Sequence, residues 1–169
     1  MIRSGSAVLI ALALPLQSCA SQDTPTAPSG LPSDAVAVAF DRVDAIGGSL
    51  IGGPQEAARS VVREQQGWLE FWGVLTAALL PAPEPPSVDF TQDMVIVAAM
   101  GSRPTGGYTI SIEGVYTSGG ELYVDVLERS PGLGCFSTQV ITAPVTAVRL
   151  GAHAEPVHFV TRQESDPCT

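Results

Sequence analysis

The sequence predicts a mainly β domain: an antiparallel β-sandwich or rolled sheet of about seven to eight strands, with one amphipathic helix packed on it. Three observations carry that expectation. From Asp34 onward, short runs of alternating or unbroken apolar residues recur between Gly- and Pro-rich punctuation, the pattern of strands joined by turns. A single segment changes to the helical period: Trp68, Phe71, Trp72, Leu75 and Leu79 fall at i, i+3, i+4, i+7 and i+11. The chain is 45% hydrophobic and 15% charged, apolar enough to bury a core rather than stay unfolded.

The elements follow in order. Ala35 to Val43 alternates small and apolar residues and reads as one strand. Ile46-Gly47-Gly48 and Ile51-Gly52-Gly53-Pro54 read as loop or hairpin punctuation, and Arg59 to Arg63 as a second short strand. The helix is expected from about Gln66 to Leu80, stopped by Pro81, with both tryptophans on its buried face. Pro81 to Pro86 is a stiff connector. Met94 to Met100 is continuously apolar, as in a strand buried on both faces. Tyr108, Ile110 and Ile112 alternate with polar residues, Ser118-Gly119-Gly120 makes a turn, and Glu121 to Arg129 returns with Leu122, Val124 and Val126 inward. This pair is the clearest hairpin. Gln139–Thr142, Thr146–Leu150 and Val157–Thr161 supply three more short strands.

Residues 1–18 read as a leader. Arg3 gives a positive start, and Ala7–Leu16 is an apolar run too short to cross a bilayer, which needs about 20 residues. The run ends in Leu16-Gln17-Ser18-Cys19, which resembles the bacterial lipobox, so Cys19 is the expected lipidation site. Two or more acyl chains would hold the protein on a membrane. Residues 19–33 are then the lipidated cysteine and a disordered tether rich in Ser, Thr, Pro and Gly, reaching roughly 40 Å if extended. Residues 34–169 form the folded domain. Cys135 and Cys168 remain as a pair in an exported, oxidising setting, where a disulfide is expected.

Charge narrows the partners. The full sequence carries 8 Lys+Arg against 17 Asp+Glu, a net charge of −9, and loses one more positive charge with Arg3. Such a surface repels phosphate backbones, which excludes nucleic acid. The chain has no lysine, and a strand rather than a helix follows the glycines of Gly101–Tyr108, so this is no phosphate-binding loop. Its two histidines are not spaced for a shared helical face, its carboxylates are dispersed, and no motif marks a metal site, a cofactor or a catalytic group. The protein is expected to be no enzyme. Candidate partner-binding residues are Arg103, Pro104, Thr105, Gly106, Gly107 and Tyr108. The last three serve equally as turn and core, with the Tyr108 ring expected inward. Arg103, a cation on an acidic domain, is suited to pair with a partner's carboxylate.

A series of short motifs resembles the C-terminal domain of the PrcB-like proteins. It comprises Val61-Val62, Trp68 with Phe71-Trp72, Val88-Asp89-Phe90, Met94-Val95-Ile96-Val97, Gly101, Pro104-Thr105-Gly106-Gly107-Tyr108 and Thr142-Ala143-Pro144, over about 100 residues from near Val61 to near Val160. The resemblance implies a non-enzymatic accessory protein, lipid-anchored on the extracytoplasmic side of a bacterial envelope. Its partner would be an exported protein, in that family a surface protease complex. Cys135 and Cys168 are not part of the matched motif. The Pro104–Tyr108 segment is also similar to the Pro-Thr-Thr-Gly-Tyr loop of chagasin-like peptidase inhibitors. The companion Gly-x-Gly-Gly and Arg-Pro-Trp loops are absent, Gly132-Leu133-Gly134 being a fragment. A structural envelope module with no protease partner is the remaining alternative.

Overall fold

The computed structural model describes residues 29–50 and 53–167, so the leader, Cys19 and Cys168 lie outside the described residues. The elements are β1 (Val36–Ala37), β2 (Asp41–Leu50), β3 (Ala58–Val62), α1 (Gln65–Thr76), β4 (Asp93–Ala99), β5 (Thr109–Ser118), β6 (Glu121–Pro131), β7 (Ala143–Gly151) and β8 (Val157–Asp166). They form two four-stranded sheets, β1-β5-β6-β8 and β2-β7-β4-β3, antiparallel throughout except for the parallel β6–β8 pair. The mainly β expectation holds.

Side-chain alternation explains the layering. Met94, Ile96 and Ala98 of β4 and Val148 and Leu150 of β7 pack against Ile112, Val115, Leu122, Val124 and Val126 of the other sheet. The odd-numbered residues Val95, Val97, Ala99, Val145 and Ala147 point the other way, onto Trp68, Trp72 and Leu75 of α1. Sheet β2-β7-β4-β3 is therefore the middle layer, covered on both faces, which is why β4 is apolar at every step. The helix is tied down by its tryptophans as well. The indole N–H of Trp68 donates to the Pro86 carbonyl at 3.0 Å, and that of Trp72 to the Pro83 carbonyl at 2.7 Å. The proline-rich connector thus supplies acceptors to two large buried rings that need them.

Several boundaries differ from the expectation. The predicted single strand Ala35–Val43 is two strands in different sheets: Val36 and Ala37 pair with Thr117 and Tyr116, whereas Asp41 and Arg42 pair with Arg149 and Val148. Ile46-Gly47-Gly48 is not a loop but the middle of β2, whose register with β7 shifts between Arg42 and Gly47. Period-two reading cannot see a strand that changes sheet, nor one that carries a bulge. The helix ends at Thr76, short of Leu80, and Leu79 is exposed. Thr76 Oγ1 turns back to the Trp72 carbonyl at 2.8 Å, and Pro81 disfavours helical geometry in the residue before it. Gln139–Thr142 is no strand; only Thr142 makes a bridge, to Arg103. The β5–β6 hairpin forms as expected, with Gly119 at φ 60° and Gly120 at φ 84° giving the two positive-φ turn positions that match strand twist.

Candidate functional site

The candidate site is one end of the sandwich, where β4 leaves the middle layer, β5 begins, and β6 and β8 end. Its first part is the loop 101–108. The Arg103 backbone bridges to Thr142, with Arg103 N–H donating to the Thr142 carbonyl at 2.7 Å and Thr142 N–H to the Arg103 carbonyl at 3.0 Å. Thr142 Oγ1 also donates to the Thr105 carbonyl at 2.9 Å, and Gly106 N–H to the Thr138 carbonyl at 2.9 Å. Gly107 adopts φ 87°, which only glycine takes without strain. The loop is stitched along its length to the neighbouring segment 131–142.

The six candidate binding residues separate under this geometry. Pro104 and Gly107 are exposed, Arg103, Thr105 and Tyr108 are half-buried, and Gly106 is buried. The Arg103 side chain does not stand out from the loop. Its guanidinium carbon lies 5.7 Å from the centroid of the Tyr108 ring, in cation–π range. The Tyr108 ring, expected in the core, sits at its rim under this cation.

Behind the loop is a cleft of about 190 Å³ whose walls include Met100, Arg103, Tyr108, Glu128, Gln163 and Glu164. Glu128 follows Leu122, Val124 and Val126 on the inward phase of β6 and is 8% exposed. Its partner crosses between the sheets: Arg59 Nη2 of β3 lies 2.5 Å from Glu128 Oε1, while Arg59 Nη1 donates to the Ala99 carbonyl at 2.8 Å. Gln163 of β8 reaches the other Glu128 oxygen at 3.3 Å. Glu164 is paired with Arg129 at 3.3 Å and with Arg162 at 3.4 Å. Each carboxylate on the cleft wall is paired with a guanidinium, Glu164 sharing its two with Asp166 and Asp125. The Nε atoms of Arg59 and Arg103 are shut off from solvent and find no hydrogen-bond partner among the described residues.

The second part of the site is the segment 131–142 itself. It contains no charged residue, and Leu133, Phe136, Val140 and Ile141 are all exposed on it. Cys135 lies at its base, with Sγ 3.9 Å from the Asp166 carbonyl at the end of β8. The apolar tip, Arg59 and Glu128 are what the sequence reading missed. A charge on the inward phase of a strand, as at Glu128, is the signal that would have found the last.

The two histidines are surface residues of other regions. His153 lies beside Glu155 at 3.5 Å, and His158 beside Glu121 at 3.1 Å with its ring stacked on Tyr123. No group of three metal-ligating side chains occurs among the described residues, and no described helix is long and apolar enough to cross a membrane.

Fold and site together define a loop-bearing β-sandwich, a scaffold that presents rigidly held loops at one end. The family model described as PrcB C-terminal matches residues 94–150, about a third of the chain, running from the first fully buried residue of β4 through most of β7. That stretch is similar to the PrcB C-terminal family, and it contains both the loop 101–108 and the segment 131–142. No curated protein and no solved structure matches the chain.

Proposed function

We propose that this protein is a non-enzymatic, lipid-anchored accessory protein of the bacterial cell envelope, whose sandwich end binds another exported protein, in keeping with its PrcB-like domain a component of a surface protease complex. The observation that carries the reading is the uncharged, apolar tip beside the stitched 101–108 loop. Four exposed apolar side chains on one short segment of a chain with net charge −9 form the kind of patch that protein partners cover. Loops held by a rigid sheet are where binding residues concentrate. The similarity to the PrcB C-terminal family supports the accessory role, and the lipobox-like Leu16–Cys19 supports the anchor.

The test is a crosslinked pull-down from native membranes with the full chain and with a Phe136→Ser/Ile141→Ser variant. The parent is expected to bring down an exported protein that the variant loses while melting normally. Equal recovery by the variant would move the binding face elsewhere. Inhibition of purified peptidases by the domain would instead support the chagasin-like alternative.

A further inference from the structure

We infer that the cleft behind the 101–108 loop receives a carboxylate of the partner protein, with the Arg103 guanidinium as its anchor. The inference rests on the accessory-protein reading for where the carboxylate comes from, and on the structure alone for why a carboxylate is taken. Glu128 is paired with Arg59, and Glu164 with Arg129 and Arg162, which it shares with Asp166 and Asp125. Arg103 makes no ion pair with any described carboxylate, in a chain that carries 17 of them, so it is the guanidinium on this cleft wall that no carboxylate engages.

The cation is also held in place before any ligand arrives. Its backbone is fixed on both sides by the bridge to Thr142, and its guanidinium rests over the Tyr108 ring. A planar guanidinium so fixed matches a planar carboxylate through two parallel N–H···O bonds. A phosphate dianion fits less well, because it would bring a second charge beside Glu128 and Glu164, which already have their cations. A cleft of about 190 Å³ admits one residue, and the apolar segment follows directly in the sequence from Ser130 on its wall. The ligand this describes is a carboxylate next to an apolar side chain, at a peptide's C-terminus or on an Asp or Glu flanked by apolar residues.

The test is an NMR titration of the chain from Ala20, which retains every described strand and the helix, following the Arg103 Nε–H and Tyr108 ring resonances. Three peptide probes are added: acetyl-Ala-Ala-Phe as the free acid, the same peptide amidated, and amidated acetyl-Ala-Asp-Phe. At least one carboxylate-bearing probe is expected to give saturable shifts with a Kd in the millimolar range or tighter. The uncharged amide is expected to give none. Saturation by the free acid alone identifies a chain terminus, and by the Asp probe alone a side chain. Arg103→Gln should weaken binding about tenfold or more, and Arg103→Lys should recover part of it, since charge without the fork keeps only half the contact. Equal binding of the amide, undiminished binding to a normally melting Arg103→Gln variant, or no saturable shift with either carboxylate overturns the inference. A chain that fails here but still brings down its partner leaves the accessory role standing. One that binds the probes yet brings down nothing does the reverse.

Discussion

Asp125 and Arg162 meet in a two-point ion pair across the parallel strands β6 and β8, with Arg162 Nε donating to Oδ1 and Nη2 to Oδ2, each at 2.9 Å. The Asp125 side chain is 1% exposed and that of Arg162 28%, so the carboxylate is the desolvated partner. The hydrogen bond to Asp125 raises the Arg162 pKa further above its ordinary value. Among the described residues β8 is the edge strand of its sheet, so this pair fastens the edge strand to its neighbour β6. Arg162→Met strands a buried carboxylate and is expected to cost about 2–4 kcal/mol, less than for a fully enclosed pair because Arg162 is partly wet. Denaturant titration of a double-mutant cycle checks it. Asp125→Asn/Arg162→Met should cost less than Arg162→Met alone, and a double variant equal to the sum of the singles would remove the coupling.

Asp89 makes the turn into β4 sensitive to acid. Its Oδ1 accepts from the Thr91 hydroxyl at 2.6 Å and the Thr91 N–H at 3.0 Å, and its Oδ2 from Gln92 at 3.2 Å. The Thr91 hydroxyl bond, then the Thr91 backbone bond, holds the Asp89 carboxyl below its ordinary pKa. A carboxylate depressed in the fold contributes stability that is complete above its unfolded value, roughly 3.9, and is lost as pH falls through its folded value. Melting followed from pH 7 to pH 2 should show the parent losing its advantage over Asp89→Asn below about pH 4. A constant difference over the whole range would mean that the charged form is not favoured in the fold.

Gly107 and Arg103 make opposite predictions within one loop. Gly107→Val places a β-branched residue at φ 87°, with its Cβ 3.3 Å from Pro131 Cβ, and is expected to cost about 2 kcal/mol. Arg103→Gln loses only the contact with Tyr108 and should cost no more than about 1 kcal/mol. Thermal melts of the two variants separate scaffold from binding group. A large loss at Arg103 would make it a structural residue.

The sequence made the layers legible wherever a strand keeps its period and its sheet. Met94–Met100 announced two buried faces because every one of its positions is apolar, and Gly119-Gly120 announced the hairpin because its turn needs positive φ at both positions. The pairing of β1 and β2 with different sheets was hidden, since Ala35–Val43 alternates straight through the crossover. The site was half legible. Arg103 drew attention as a cation among turn residues, but its direction could not be read, because what folds it onto Tyr108 is the bridge to Thr142, thirty-nine positions along. Val140 and Ile141 on the apolar tip have strand propensity, so the sequence predicts a strand there; only the surrounding fold leaves them outside both described sheets.

Lipidation of Cys19 is tested independently of the domain. Cells carrying Cys19→Ser are expected to release the protein from the membrane fraction or retain it unprocessed. A variant found in the membrane fraction in the parent's processed form would remove the anchor from the reading.

The last prediction concerns Cys135 and Cys168. Cys135 Sγ lies 3.9 Å from the carbonyl of Asp166, two residues before Cys168, and the Cys135 N–H donates to the Gly132 carbonyl at 3.2 Å in a tight turn. The Cys135 sulfur thus faces the end of β8, the strand that precedes Cys168 in the sequence. A bridge there would close a loop of about 34 residues, for which chain entropy gives roughly 3–4 kcal/mol. It would also fasten the segment bearing Phe136 to the end of β8, holding the apolar tip in place for its partner. Mature protein labelled with a thiol reagent under denaturing, non-reducing conditions should show neither cysteine modified, and both after reduction. Cys168→Ser should lower the melting temperature and weaken partner recovery together, because loop order and docking share the same restraint. Two reactive thiols in the exported protein would dismiss the bridge, and undiminished recovery by Cys168→Ser would show that the tip holds its shape without it.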